Sequence, residues 1–172
     1  MNDLAITDDP DEFTYRDEDE PIRDEAVDLL QRVLELITAH PEVHDQTDWI
    51  YVDHVPGDQM DSNGTLQVMF DPQRPSACGT KGCLAGNAVI MSNLFPLRLS
   101  SDPSDDELYL VEFRHQRQWR VIDSYVQGLA ARLLHLTEDE ADELFEGGNS
   151  VDDLWRIASE ITQGRVRRPE TV

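Results

Sequence analysis

The sequence predicts an α+β domain: a small antiparallel sheet packed by helices, with three helices at its C-terminal end. Apolar residues recur at helical spacing in 22–37 and again through 121–161. Two aromatic and β-branched runs, 49–52 and 66–70, flank an Asn-Gly pair, and a third run of that kind spans 108–113. At 172 residues the chain is long enough to bury one core of its own.

Residues 1–20 are polar and end in Asp17-Glu18-Asp19-Glu20. They read as an acidic, disordered tail, because too few apolar groups are present to offset the entropy of ordering. The domain proper is expected over 21–164. It opens with Pro21 at a helix start, acids in the first turn, and Ile22, Ala26, Leu29, Leu30, Val33, Leu34 and Ile37 on one face. Pro41 stops this helix, placing it at 22–39.

Trp49-Ile50-Tyr51-Val52 and Leu66-Gln67-Val68-Met69-Phe70 are expected to form a hairpin, turned at Asn63-Gly64. The aspartates there do not make a calcium loop. In an EF-hand register, Gln59 and Phe70 would fall where acids are required. Residues 85–95 read as a buried helix halted before Pro96. Residues 98–107 read as a loop by composition, 108–113 as a strand, and 114–118 as its basic exit.

Val121, Ile122, Tyr125, Val126, Leu129, Leu133 and Leu134 define the next helix. Thr137 with Glu140 forms a capping box for a short one ending at Gly147-Gly148. Ser150 with Asp153 starts a last helix, which Gly164 ends. Residues 165–172 hold the one basic cluster and read as a basic tail. The final helix presents Asp152, Asp153 and Glu160 against Arg156, a poor surface for a DNA groove.

Charge sets the outer bounds on function. There are 36 acidic residues against 14 basic ones, a formal −22. Such a field repels phosphate backbones, so direct nucleic-acid binding is disfavoured. A basic or nucleic-acid-binding protein is the expected partner, approached through an acidic surface that mimics nucleic acid. Salt adaptation is the competing explanation of the same charge. No apolar run approaches the roughly 20 residues of a membrane span, and the N-terminus lacks a secretory pattern. The expected location is cytoplasmic.

The chemistry-bearing residues gather in Cys78-Gly79-Thr80-Lys81-Gly82-Cys83-Leu84-Ala85-Gly86-Asn87-Ala88, which contains both cysteines and the only lysine. Four readings stay open. Cys78 and Cys83 are small buried thiols at a close-packed helix entry. Alternatively they form a local disulfide, or bind zinc with histidines drawn from His44, His54 and His115. In the fourth reading Cys78 is a nucleophile at a helix N-terminus, with His54 as base and Asp53 or Asp123 orienting it. A cysteine-dependent hydrolase or transferase and a small zinc module are therefore the alternatives to a non-enzymatic interaction protein.

The Cys78-Gly79-Thr80-x-x-Cys83-x-Ala85-Gly86-x-Ala88 motif, followed by Leu133-Leu134-x-Leu136-Thr137-x-x-Glu140-Ala141-x-x-Leu144-Phe145, resembles a group of small proteins of tailed phages and actinobacterial or related genomes. The resemblance covers 78–88 and 133–145, and 49–70 loosely. It departs from the group's pattern at Asn87, where an aromatic or histidine is usual, and at His135, where a glycine is. It implies an α+β fold and a phage or mobile-element source, and carries no catalytic residue across.

Overall fold

The computed structural model describes residues 15–52, 65–68, 80–94, 96–102, 105–115, 118–123 and 125–170. The fold is α+β, with a C-terminal segment of three helices. Helix α1 (Asp24–Ala39) buries Ala26, Val27, Leu29, Leu30, Val33, Leu34 and Ile37 along one stripe, as the period requires. It begins three residues later than Pro21 suggests, with Arg23 as N-cap, and Asp24 and Glu25 supply the acids of its first turn. After a 3-10 turn at Pro41–Val43 come β1 (Ile50–Val52), β2 (Thr65–Val68) and β3 (Thr80–Gly82).

The expected hairpin is corrected here. Strand β1 pairs antiparallel with β3 through Ile50↔Gly82, Tyr51↔Lys81 and Val52↔Thr80, so it does not pair with β2. Its turn at Asn63-Gly64 lies outside the described residues. The physical reason is close approach: Gly82 lacks the Cβ that would stand 2.5 Å from the Trp49 carbonyl oxygen. The neighbouring backbone bonds Cys83 N–H to Asp48 O and Asp45 N–H to Gly82 O complete the junction.

Helix α2 (Leu84–Ser92) follows at once, buried on nearly every side, and is ended by Asn93 in the left-handed region at φ 51°. It is shorter than the expected 85–95. Residues 98–107, expected as a loop, are mostly strand: β4 (Leu97–Asp102) and the start of β5 (Asp105–His115). Leu97 and Leu99 point into the core and Arg98 away from it, a strand alternation that the Ser-Ser-Asp-Pro composition masks. Strand β6 (Gln118–Val121) then turns back along β5.

These strands make a four-stranded antiparallel sheet in the order β2-β4-β5-β6, beside the two-stranded β1-β3 ribbon. The single sheet expected from 49–70 and 108–113 is therefore two. Val121 closes β6 and does not start a helix; α3 (Val126–Leu133) begins after the turn containing Ile122 and Tyr125.

Helices α4 (Glu138–Phe145) and α5 (Val151–Ile161) form with both capping boxes, Thr137 with Glu140 and Ser150 with Asp153. Helix α2 packs between α1 and α3, and α5 packs on α1, where Trp155 Nε1 donates to Thr38 Oγ1 at 2.9 Å. The basic segment after α5 is docked on the domain. Val166 is fully buried, Arg165 pairs with Asp24 at 2.9 Å, and Arg168 pairs with Asp152 at 2.5 Å. Among the described residues no helix is long and apolar enough to cross a membrane.

Candidate functional site

The cysteine-glycine stretch is seen from Thr80 onward. Cys78, His54 and Asp53 lie outside the described residues, and so does the proposed nucleophile–base pair. His115 ends β5 and is paired in register with Gln118 of β6. Asp123 lies on the surface after β6.

Cys83, not Cys78, is the residue at the helix entry. It is the N-cap of α2, and its thiol is free. Its Sγ accepts from Gly86 N–H at 3.5 Å and faces the Trp49 carbonyl oxygen at 3.7 Å. Burial pushes this thiol up to about 11, with the nearby Asp48 carboxylate adding to the rise and the backbone N–H groups of Gly86 and Ala85 opposing it. At neutral pH the protonated thiol is the favoured form. The N–H groups of the helix N-terminus favour the thiolate, but desolvation outweighs them here.

Two amides lock the same entry. Asn87, buried, donates through Nδ2 to Gly82 O at 2.7 Å, Cys83 O at 3.1 Å and Val43 O at 3.2 Å. Gln46, also buried, accepts from Leu84 N–H at 3.1 Å and donates to the carbonyls of Leu144 and Glu146 at 3.3 Å each. Its Oε1 also meets His44 Nε2 at 3.0 Å, so that this histidine is engaged away from Cys83. Among the described residues, no three His, Cys, Asp or Glu side chains converge as a metal site. The entry is built to join segments.

A second constellation lies at the corner where α3 gives way to α4. Residues 15–20, which the sequence assigns to the acidic tail, are fastened there by Arg16. Its side chain is 6 % exposed, with Nη2 2.6 Å from both carboxylate oxygens of Glu140. Arg16 Nε donates to His135 O at 2.8 Å, Nη1 donates to the carbonyls of Asp17 and Glu20, and Arg16 N–H donates to Leu136 O at 2.8 Å. Such a charge-assisted anchor, with one nitrogen shared between both carboxylate oxygens, is among the stronger polar contacts available. Glu140 is thereby used twice, since its Oε2 also accepts from Thr137 N–H as part of the capping box.

His135 follows α3 at φ 53°, where glycine is the usual residue. The bonds Leu136 N–H to Ala131 O and His135 N–H to Arg132 O close the helix in a Schellman pattern. The anchored segment brings acids from distant parts of the chain together. Asp17 and Glu18 line a shallow pocket of about 280 Å³ with Glu138 and Asp139 of α4. Asp142 and Glu143, one turn further along α4, are exposed as well. The cation in that lining is Arg16, already committed to Glu140.

No protein-family model, curated protein or solved structure matches this chain. The reading of its surface rests on geometry and charge. Sequence reasoning missed Arg16, Gln46, Asn87 and His135 as organising residues. Arg16 carried a signal, being the one cation among the first 20 residues.

Proposed function

We propose that the protein is a non-enzymatic interaction module that engages a basic protein partner, of the kind whose own ligand is nucleic acid, through an acidic face. The face comprises Asp17, Glu18 and Asp19 from the anchored segment and Glu138, Asp139, Asp142 and Glu143 from α4. The observation that carries the reading is the pocket these two segments share, where four carboxylates meet and the lining arginine is spent internally. Like charges held together cost stability and concentrate field, which favours encounter with an opposite charge.

Affinity capture at about 0.1 M and about 1 M salt tests the reading. A specific basic partner, retained at the lower salt and released at the higher, is expected. No specific partner at low ionic strength would overturn it. The thiol-enzyme alternative gains no second group from Cys83, whose sulfur is buried in the helix entry.

A further inference from the structure

We infer that His135 is the catch of a pH-operated latch, holding the strap formed by residues 15–23 on the corner between α3 and α4. The side chain is 7 % exposed and uses both ring nitrogens on the strap. Nδ1 accepts from Arg23 N–H at 3.3 Å, and Nε2 lies 3.3 Å from Glu20 Oε1. With Nδ1 accepting, the neutral ring carries its proton on Nε2, directed at the Glu20 carboxylate. Protonation puts a second N–H on Nδ1. Two donors then face each other, and Arg23 N–H loses its acceptor.

The charges around the ring come from every element that packs on it. The strap presents Arg16, Arg23 and Glu20; α3 presents Arg132; α4 presents Glu140, already bound to Arg16. Burial disfavours the imidazolium first, then Arg23 and Arg16; Glu20 opposes them, and the net direction is downward from the ordinary 6.5. The closed strap therefore binds the proton less well than the open one. Closure is favoured above about pH 6.5 and is lost as pH falls through the lower value of the closed state.

The rest of the strap suits release. Pockets of about 750 and 330 Å³ flank its middle, and apolar packing on the core comes from its ends, Tyr15 and Ile22. His135 also occupies a left-handed backbone position that costs a non-glycine residue stability, and its two strap contacts offset that cost. Opening would carry Asp17 and Glu18 away from α4. That consequence for partner binding rests on the acidic-face reading; the latch itself does not.

Amide hydrogen exchange of the full chain, without any partner and corrected for intrinsic rate, tests the latch between about pH 7.5 and pH 5. Protection of the Arg16 and Arg23 amides is expected to fall by up to about tenfold per pH unit from about pH 6.5 down to the closed-state value and to level off below it, while α5 amides stay protected. His135→Asn keeps an acceptor and tolerates positive φ, yet does not titrate, so its strap should stay protected throughout. Glu20→Gln, which removes the group favouring the imidazolium, lowers the closed-state value further and should deepen the loss of protection at about pH 5 relative to the wild type. A flat wild-type profile, an equal loss in His135→Asn, or a loss in Glu20→Gln no deeper than that of the wild type would overturn the proposal. Because no partner is present, failure here leaves the acidic-face reading standing, and the reverse also holds.

Discussion

Gly86 lies directly against the backbone of Trp49: a Cβ on Gly86 would stand 1.9 Å from the Trp49 carbonyl oxygen and 2.6 Å from Ile50 Cγ1. The entry of α2 is thus pressed onto the β1-β3 ribbon, and the two glycines there are required for contact. Gly86→Ala is expected to destabilise the fold by about 3 kcal/mol, because backbone, and not a flexible side chain, must move. Gly148→Ala, where nothing lies within 4 Å of the added Cβ, is the control and should change stability little. Urea unfolding of the three proteins checks both values.

Asn87 gives a prediction with a pH sign. Removing its amide in Asn87→Ala takes a donor from the buried carbonyls of Gly82, Cys83 and Val43; Gly82 O keeps Asp45 N–H and Cys83 O keeps the backbone N–H of residue 87, so the loss is about 1–2 kcal/mol. Asn87→Asp sets a carboxylate against those carbonyls, which raises its folded-state pKa above the unfolded value. The variant's deficit should therefore grow as pH rises through the unfolded value near 4 and shrink as pH falls. Chemical denaturation at several pH values would show a parallel, pH-independent deficit if this is wrong.

Both capping boxes should contribute to stability, that of Thr137 the more. Thr137→Ala and Ser150→Ala each free an N3 backbone N–H, from Glu140 and Asp153, and each should cost about 1 kcal/mol. Thr137→Ala also loosens Glu140, the partner of Arg16. Its effect should exceed that of Ser150→Ala and should appear as faster exchange in the strap.

Thiol reactivity separates the two cysteines. In a Cys78→Ser variant the remaining thiol, Cys83, should alkylate at least about tenfold more slowly than an ordinary exposed cysteine at neutral pH. The rise in its pKa from 9.0 to about 11 cuts the thiolate fraction about a hundredfold, and the greater nucleophilicity of a more basic thiolate returns about tenfold of that, before any steric contribution. Timed iodoacetamide labelling followed by mass spectrometry measures it. A rate at or above that of a free thiol would contradict the buried seat of Cys83.

Helices α1, α4 and α5 were legible in the sequence because their signals are local: an apolar period, capping pairs and terminating residues within a few positions. Strand pairing was not. The partner of β1 is set by Gly82 and Gly86 meeting Trp49 across more than thirty residues, which no turn signal encodes. Leu97-Arg98-Leu99 alternates like a strand but is followed by loop-like composition. Val121 fits the helical period only because that period runs on across the boundary between β6 and the following turn. At the candidate site, Asn87 and Gln46 serve carbonyls from remote segments, so their types alone carry no positional message. Arg16 stood out by charge, and its partner Glu140 was readable only as a cap.

The central claim is that the acids of the strap and α4 act together on a basic partner. The most direct measurement compares capture by the wild-type chain with capture by the fourfold variant Glu138→Gln, Asp139→Asn, Asp142→Asn and Glu143→Gln at about 0.1 M salt. These side chains are exposed, so the variant should keep its fold, relief of repulsion being offset by loss of the favourable helix-dipole interaction of Glu138 and Asp139 in the first turn of α4. The account predicts that a specific basic protein bound by the wild type is lost from the variant. Retention of the same protein by both, at equal affinity and with equal salt dependence, would contradict it.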